Sequence, residues 1–306
     1  MQTGGGQRYS SREEPPPKNP DRCAGFNRSR RKPSHERRRE EMKINTGSER
    51  KPRSKIEILM LTSAIALTTL TQYFFAFINP ALGILSALAS VTALYLALSL
   101  LSGRLNQALR ESIEIICLIQ IYTLLISSLP WFFVSQDLLI PATYSILLAL
   151  CIWHIKDSSM ALAEMGFRKA GLKHIFIGAL SGIPLGAAEY YILRPPPPTP
   201  TFSIAHFLQT ALYMFIFVGF CEELLFRGML MTSLEKYMGG KPALILQSLI
   251  FAILHLTWRI PIEVAFVFAA GIISGLLFKR GRSLIPPTVA HGVGNIILLS
   301  VFPFLT

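Results

Sequence analysis

Long apolar runs constrain this chain more than any other feature of its sequence. Segments of about 20 residues with few charges recur from Ile56 onward, and a helix needs about 20 apolar residues to cross the hydrocarbon of a bilayer. Hydrophobic residues make up 51% of the 306 positions. We therefore predict an all-α protein, a polytopic transmembrane helix bundle of about eight or nine spans.

The charges of the connections between these runs predict their orientation. The predicted spans are residues 56–78, 81–101, 112–134, 139–155, 175–193, 204–231, 242–258, 262–278 and 284–305. Lys and Arg concentrate in every second connection, as expected of cytoplasmic loops. The N-terminus is then cytoplasmic, the basic connection 279–282 is cytoplasmic and the proline-rich connection 194–200 is external.

The first 55 residues differ from the rest of the chain. They hold 16 Lys and Arg against 7 Asp and Glu and almost no aliphatic residues, so they cannot bury enough apolar surface to fold. We predict a disordered basic tail at 1–55, solvated rather than bound to nucleic acid or to anionic lipid. An alternative is that translation starts at Met42, in which case residues 1–41 are not part of the protein.

The remaining chain divides at its proline-rich stretch. We predict N-terminal transmembrane helices at 56–193, a proline-rich loop at 194–201 and a catalytic transmembrane core at 202–306. The connection 156–173 mixes apolar and charged residues. Either an amphipathic piece on the membrane surface or an ordinary loop fits that pattern.

Three ionisable residues interrupt the apolar run FVGFCEELLFRGML. An ionised side chain at bilayer depth costs at least about 2.5 kcal/mol, so such residues face a protein interior or a water-filled cavity and mark functional sites. Glu223 and Arg227 are spaced i, i+4 on one helix face and can form an ion pair. Glu222 is rotated by about 100° from Glu223 and needs another partner.

Two further segments of the second half carry polar residues. FAILHL contains His255, and HGVGN contains His291 and Asn295 at i, i+4. Each residue alone has a structural explanation, because a His or Asn in a membrane can join two helices by a hydrogen bond. Three polar sets on three successive segments indicate a shared site, because buried polar groups must find partners.

These residue types favour hydrolysis of an amide bond. Carboxylate with imidazole can activate water, and imidazole with carboxamide can stabilise an oxyanion. Glu222, His255 and His291 are also a possible zinc ligand set, although the HExxH spacing of many zinc proteases is absent.

The motifs carrying these residues resemble those of one protease family. EELLFR at Glu222–Arg227 is similar to the EExxxR motif of the CAAX-processing and bacteriocin-processing (CPBP) intramembrane proteases. Phe251 to His255 resembles the family's FxxxH motif, and His291 to Asn295 resembles its HxxxN motif. The resemblance covers about residues 165–306 and includes the order of the motifs.

The resemblance implies a role for each residue. Glu222 is the general base on water with His255 as its partner, and the Glu223–Arg227 pair shapes the site. His291 and Asn295 stabilise the oxyanion. We favour metal-free catalysis, with zinc bound by Glu222, His255 and His291 as the alternative. The implied partners are a peptide or membrane-protein substrate and the bilayer, without nucleic acid.

A cavity between helices is the expected setting. We predict that polar atoms of Glu222, His255, His291 and Asn295 converge within about 3–7 Å. We expect the cavity to open towards the cytoplasmic side, where the run containing Glu222 leads into Glu235. The expected location is the plasma membrane of a prokaryote. A non-enzymatic membrane scaffold and a proton-coupled transporter are the rival functions, and the transporter is disfavoured because the ionisable groups lie in one half.

Overall fold

Each apolar run is helical in the computed structural model, which describes residues 53–129 and 131–305. In chain order, the helices of these residues are α1 (Lys55–Tyr73), α2 (Pro80–Leu100), α3 (Gln107–Ser128), α4 (Gln136–Asp157), α5 (Leu172–Leu193), α6 (Ile204–Met238), α7 (Gly240–Leu254), α8 (Pro261–Gly281) and α9 (Ile285–Ile296). The described residues contain no strand, which confirms the all-α prediction. The predicted basic tail and Met42 lie outside the described residues.

Eight of the helices are long and apolar enough to cross a membrane. Two of the shortest predicted spans, 139–155 and 262–278, prove to be helices of 22 and 21 residues. Helix α3 is not among the eight candidates, and it buries polar side chains such as Glu111 and Gln120. Eight apolar helices identify the chain as an integral membrane protein.

Local sequence signals fix where the first helices begin. The Ser54 hydroxyl accepts a hydrogen bond from the Glu57 amide, and the Glu57 carboxylate accepts one from the Ser54 amide. This capping box satisfies two amides that a helix start leaves unpaired. Asn79 caps α2 through the Leu82 amide at 2.8 Å, and Pro80 occupies the first helical position, where its missing N–H is harmless.

Helices α5 and α9 meet along a seam of small residues. The facing residues occur at i, i+4 spacing on both helices: Gly178, Gly182 and Gly186 on α5, and Pro286, Ala290 and Gly294 on α9. A Cβ added to any of the three α5 glycines would collide with α9 backbone atoms. Small residues at such spacing let two membrane helices approach backbone to backbone. The seam therefore fixes α9, which carries His291 and Asn295.

The connection between α4 and α5 is a loop, not an amphipathic helix. Residues 158–171 contain no helix, yet Met165 is fully buried. Gly166 adopts a φ of 91° and its carbonyl accepts a hydrogen bond from the Leu284 amide at 3.0 Å. The apolar residues of this loop therefore pack partly against the protein, and the ordinary-loop interpretation is the right one.

Helices on both sides of the proline-rich loop pack together. The hydroxyls of Ser112 on α3 and Ser233 on α6 lie 2.9 Å apart, and Ser233 also donates to the Ala108 carbonyl at 2.7 Å. Residues from Arg53 onward cluster as one compact unit. The first helices therefore support the core directly, while the functional division at 194–201 stays a prediction.

Candidate active site

The two glutamates of α6 lie between two stretches of π-helix. Phe220–Glu223 is a single α-helical turn, preceded by a π-helical segment at Tyr213–Gly219 and followed by another at Leu224–Met231. A π-helix is rare, and short π segments inside α-helices occur frequently at functional sites. The backbone of α6 is thus irregular on both sides of its ionisable residues.

Glu223 and Arg227 form a buried ion pair. The Arg227 Nη1 lies 2.9 Å from the Glu223 Oε1, and the two side chains are 1% and 0% exposed. Arg227 also donates to the Gly271 carbonyl on α8 at 3.3 Å, and its guanidinium lies 4.8 Å from the centre of the Phe251 ring. The i, i+4 spacing therefore produces the expected pair, and the pair ties α6 to α7 and α8.

His291 stands between the two glutamates. Its Nδ1 lies 3.0 Å from the Glu223 Oε1, and its Nε2 lies 3.7 Å from the Glu222 Oε2. A carboxylate can only accept, so the Nδ1–H donates to Glu223. This bond orients the imidazole and directs Nε2 towards Glu222.

His255 is oriented by its own helix. Its Nδ1 lies 2.9 Å from the Phe251 carbonyl, so Nδ1 carries the proton that is donated there. The ring also packs edge-on against the Phe251 ring, with centroids 4.9 Å apart. In the neutral imidazole, Nε2 then keeps its lone pair and is the nitrogen available for proton transfer.

The four predicted catalytic residues line one cavity of about 600 Å³. Glu222, His255, His291 and Asn295 reach it from α6, from the turn after α7, and from α9. The rest of the wall is largely apolar and includes Val218, among other aliphatic side chains. The predicted convergence around a single cavity is thus present in the structure, with 3.7 Å between Glu222 and His291.

The side towards which the cavity extends differs from our expectation. Its wall includes Arg194, Pro195 and Pro196 of the proline-rich connection and Trp258 after α7. The expectation that it would open towards the side of Glu235 is therefore wrong. Glu222 does not lie near the end of its span, because α6 runs for 35 residues and Glu222 lies near its middle.

Two residues of the first half belong to the site and were missed. The Tyr144 hydroxyl on α4 lies 2.5 Å from the Glu222 Oε1, and Glu189 on α5 lines the same cavity. Glu189 offered a signal, because it is a carboxylate within an apolar run. Tyr144 offered no such signal, because an aromatic residue in an apolar helix usually packs against neighbouring side chains. Glu189 lies before the proline-rich loop, so the supposition that the ionisable groups all lie in the second half is wrong.

The side chains considered as zinc ligands are partly engaged elsewhere. Within residues 53–129 and 131–305, no group of three or more His, Cys, Asp or Glu side chains is arranged to hold a metal ion. In the alternative ligand set of Glu222, His255 and His291, the Nδ1 atoms of both imidazoles are bound to protein acceptors. These contacts leave the Nε2 of each imidazole able to bind an ion, since a metal-binding histidine commonly donates its other N–H to a protein acceptor. Metal-free catalysis therefore stays a prediction, and we derive no step through a metal.

One known family model matches part of the chain, within its second half. Residues 204–297 match the family model described as Rce1-like, type II CAAX prenyl endopeptidase Rce1-like. The matched range contains all three motifs, which confirms the family recognition made from them. The match supports a CAAX-type intramembrane protease, a hydrolase acting on a peptide or protein in a membrane environment. Curated proteins and solved structures gave no match.

Proposed function

We propose that the chain is an intramembrane endopeptidase that hydrolyses a peptide bond with water activated by Glu222. In this proposal His255 is the proton-transfer partner of Glu222, while His291 and Asn295 stabilise the oxyanion. The buried Glu223–Arg227 pair holds the site in shape. The observation that carries the proposal is the convergence of these polar residues from α6, from the turn after α7 and from α9 on one largely apolar cavity.

The geometry around Glu222 supports its role as the base. It is 17% exposed within the cavity wall, whereas Glu223 is fully buried and already bound by Arg227 and His291. A base must reach a water molecule that also reaches the substrate carbonyl. Of the two glutamates, Glu222 is the one that a water molecule in the cavity can reach, through the Oε2 that faces His291.

His291 can serve more than one step. Its Nε2 lies near both the Glu222 carboxylate and the cavity. Once Nε2 accepts the proton that Glu222 takes from the attacking water, its N–H can donate to the developing oxyanion and then return that proton to the leaving amine. Asn295 lies one turn further along α9 and lines the same cavity. A carboxamide N–H there supplies a second donor without any proton transfer.

We propose that this chemistry needs no metal, since His291 and Asn295 provide the required donors to the oxyanion. The proposed location is the plasma membrane of a prokaryote with a cytoplasmic N-terminus. The cavity would then extend towards the external side, next to 194–200. Cysteine placed at position 197 should react with an impermeant reagent added outside, and cysteine at 281 should not.

The proposal is tested with purified protein and a quenched fluorogenic farnesylated CAAX peptide. Glu222→Gln keeps the shape of the side chain but removes the base, so cleavage should be abolished at an unchanged level of folded protein. Asn295→Ala should lower the rate by about 10²–10³-fold if Asn295 donates to the oxyanion. A zinc chelator should leave the rate of the wild type unchanged.

The outcomes separate the protease from its rivals. A scaffold would tolerate Glu222→Gln, so full function of that variant in cells would exclude the proposed base. If the wild type does not cleave the farnesylated peptide, membrane proteomes of cells carrying wild type or Glu222→Ala should be compared. A precursor that accumulates only with the variant identifies the substrate, and its absence from both would contradict the protease.

A further inference from the structure

Tyr144 makes a short hydrogen bond to the proposed base, Glu222. Its hydroxyl lies 2.5 Å from the Glu222 Oε1, and it lines the same cavity. It belongs to α4, outside the residues 204–297 that match the family model. The contact joins the first half of the chain to the proposed catalytic centre, so family membership of the second half does not account for it.

The backbone around Tyr144 is held against the same turn of α6. The Cys221 Sγ lies 3.8 Å from the Tyr144 carbonyl oxygen, so two successive residues of α6 contact Tyr144. On α4, the Thr143 hydroxyl donates back to the Leu139 carbonyl at 2.8 Å. The backbone carbonyl and the side-chain hydroxyl of Tyr144 thus both contact α6.

We propose that Tyr144 is the positioning residue of Glu222, an inference that rests on the proposed function of Glu222 as the base. Tyr144 holds Oε1 by donating its phenolic hydrogen, which fixes the rotation of the carboxylate. The second oxygen, Oε2, is then turned towards the Nε2 of His291 at 3.7 Å. One oxygen is anchored and the other is presented to water.

This arrangement has a kinetic consequence. Loss of orientation at a reacting group lowers the rate of the chemical step, and a displacement of about 1 Å can cost about 10²-fold. Tyr144→Phe keeps the ring and removes only the hydroxyl. The expected result is a decrease in kcat by about 10²-fold, with KM for the farnesylated CAAX peptide unchanged.

A matched control separates positioning from a general effect of losing a hydroxyl. Tyr213 lies on α6 itself, and its hydroxyl accepts a hydrogen bond from Gln209 at 3.2 Å, away from Glu222. Tyr213→Phe should leave kcat and KM unchanged. Both variants should show the same amount of folded protein and the same thermal midpoint as wild type. A purely structural role of Tyr144 would instead lower the midpoint and leave the kcat of the folded fraction intact.

A second measurement does not depend on proteolysis. The hydroxyl of Tyr144 occupies the Oε1 of Glu222, and its removal leaves that oxygen free to react with a hydrophobic carbodiimide. Labelling of Glu222 by dicyclohexylcarbodiimide, quantified by mass spectrometry, should increase several-fold in Tyr144→Phe. It should stay at the wild-type level in Tyr213→Phe and disappear from that position in Glu222→Gln.

The cleavage assay and the labelling experiment distinguish failure of the proposed function from failure of the positioning role. If wild type does not cleave the peptide, the proposed function fails for this substrate while labelling still tests the contact between Tyr144 and Glu222. If Tyr144→Phe has the wild-type kcat, or labels Glu222 at the wild-type rate, the positioning role is overturned. Lower kcat together with faster labelling supports it.

Discussion

Helix α6 carries two glutamates that pair with Arg or Lys, and the partners of the two glutamates differ in their exposure to water. Glu223 is fully buried and pairs with the equally buried Arg227 at 2.9 Å. Glu235, near the end of the same helix, pairs with Arg282 at 2.6 Å and with Lys279 at 3.5 Å. Those two partners are 45% and 28% exposed. The pair with the shorter distance is the one that water reaches.

Burial of the ion pair, rather than its distance, decides how much each glutamate contributes to the stability of the fold. Water can replace a lost partner of Glu235, and exposed pairs contribute only about 0.2–1 kcal/mol. Solvent does not reach the buried Arg227 in this way, and breaking a buried pair by removing one partner costs about 3–5 kcal/mol. Burial also makes Glu223 part of the site, because it orients His291.

The largest expected effect is that of Glu223→Gln. This substitution keeps the shape of the side chain but leaves the Arg227 guanidinium without its counter-charge in a buried position. We expect a loss of about 3–5 kcal/mol in the free energy of unfolding. The measurements are the amount of folded protein in membranes and the thermal midpoint in detergent. Activity should fall as well, since His291 loses its charged acceptor.

The same change from Glu to Gln at position 235 tests the pair whose partners are exposed. Glu235→Gln removes the same charge from the same helix, yet its partners Lys279 and Arg282 can turn to water. We expect a loss of about 1 kcal/mol or less, with unchanged cleavage by the folded protein. Equal destabilisation by Glu223→Gln and Glu235→Gln would show that burial does not separate the two pairs.

The sequence predicts features that depend on residues close together in the chain, and it does not predict contacts between residues far apart. Helix positions depend on local composition, and all nine predicted segments correspond to helices. The pairing of Glu223 with Arg227 depends on the spacing within one helix. The contact between Tyr144 and Glu222 joins residues 78 positions apart, and no local pattern encodes it. The helix length was misjudged as well, because charged residues after Met231 still continue α6, and this placed the cavity on the wrong side.

The α5–α9 seam could be predicted in part from the sequence. Its glycines at 178, 182 and 186 form a small-residue pattern visible in the sequence, and that pattern predicts close packing of membrane helices. The partner helix cannot be read from α5 alone, because several other apolar helices also carry glycine or alanine. The structure shows that the partner is α9, which therefore brings His291 close to the glutamates of α6.

We expect the smallest effect at an exposed ion pair whose distance equals that of the buried pair. Lys236 and Glu164 lie 2.9 Å apart, the same distance as Arg227 and Glu223, but their side chains are 37% and 45% exposed. The hydrogen bond from Lys236 lowers the pKa of the Glu164 carboxyl in the loop after α4. A carboxyl whose pKa is lower in the folded state stabilises the fold above its unfolded pKa, and this contribution is lost as the pH falls through the folded pKa.

Glu164→Gln should therefore cost at most about 0.2–1 kcal/mol at neutral pH. The difference from wild type should shrink in acid, where the wild-type carboxyl also becomes neutral, and in high salt, which screens exposed charges. The carboxamide oxygen of the variant can still accept the hydrogen bond from the Ala161 amide that Glu164 accepts at 3.2 Å, so the loop should keep its turn. Thermal midpoints of both proteins across pH and salt provide the measurement. A loss at neutral pH as large as that of Glu223→Gln would mean that distance, rather than exposure to water, sets the strength of these pairs.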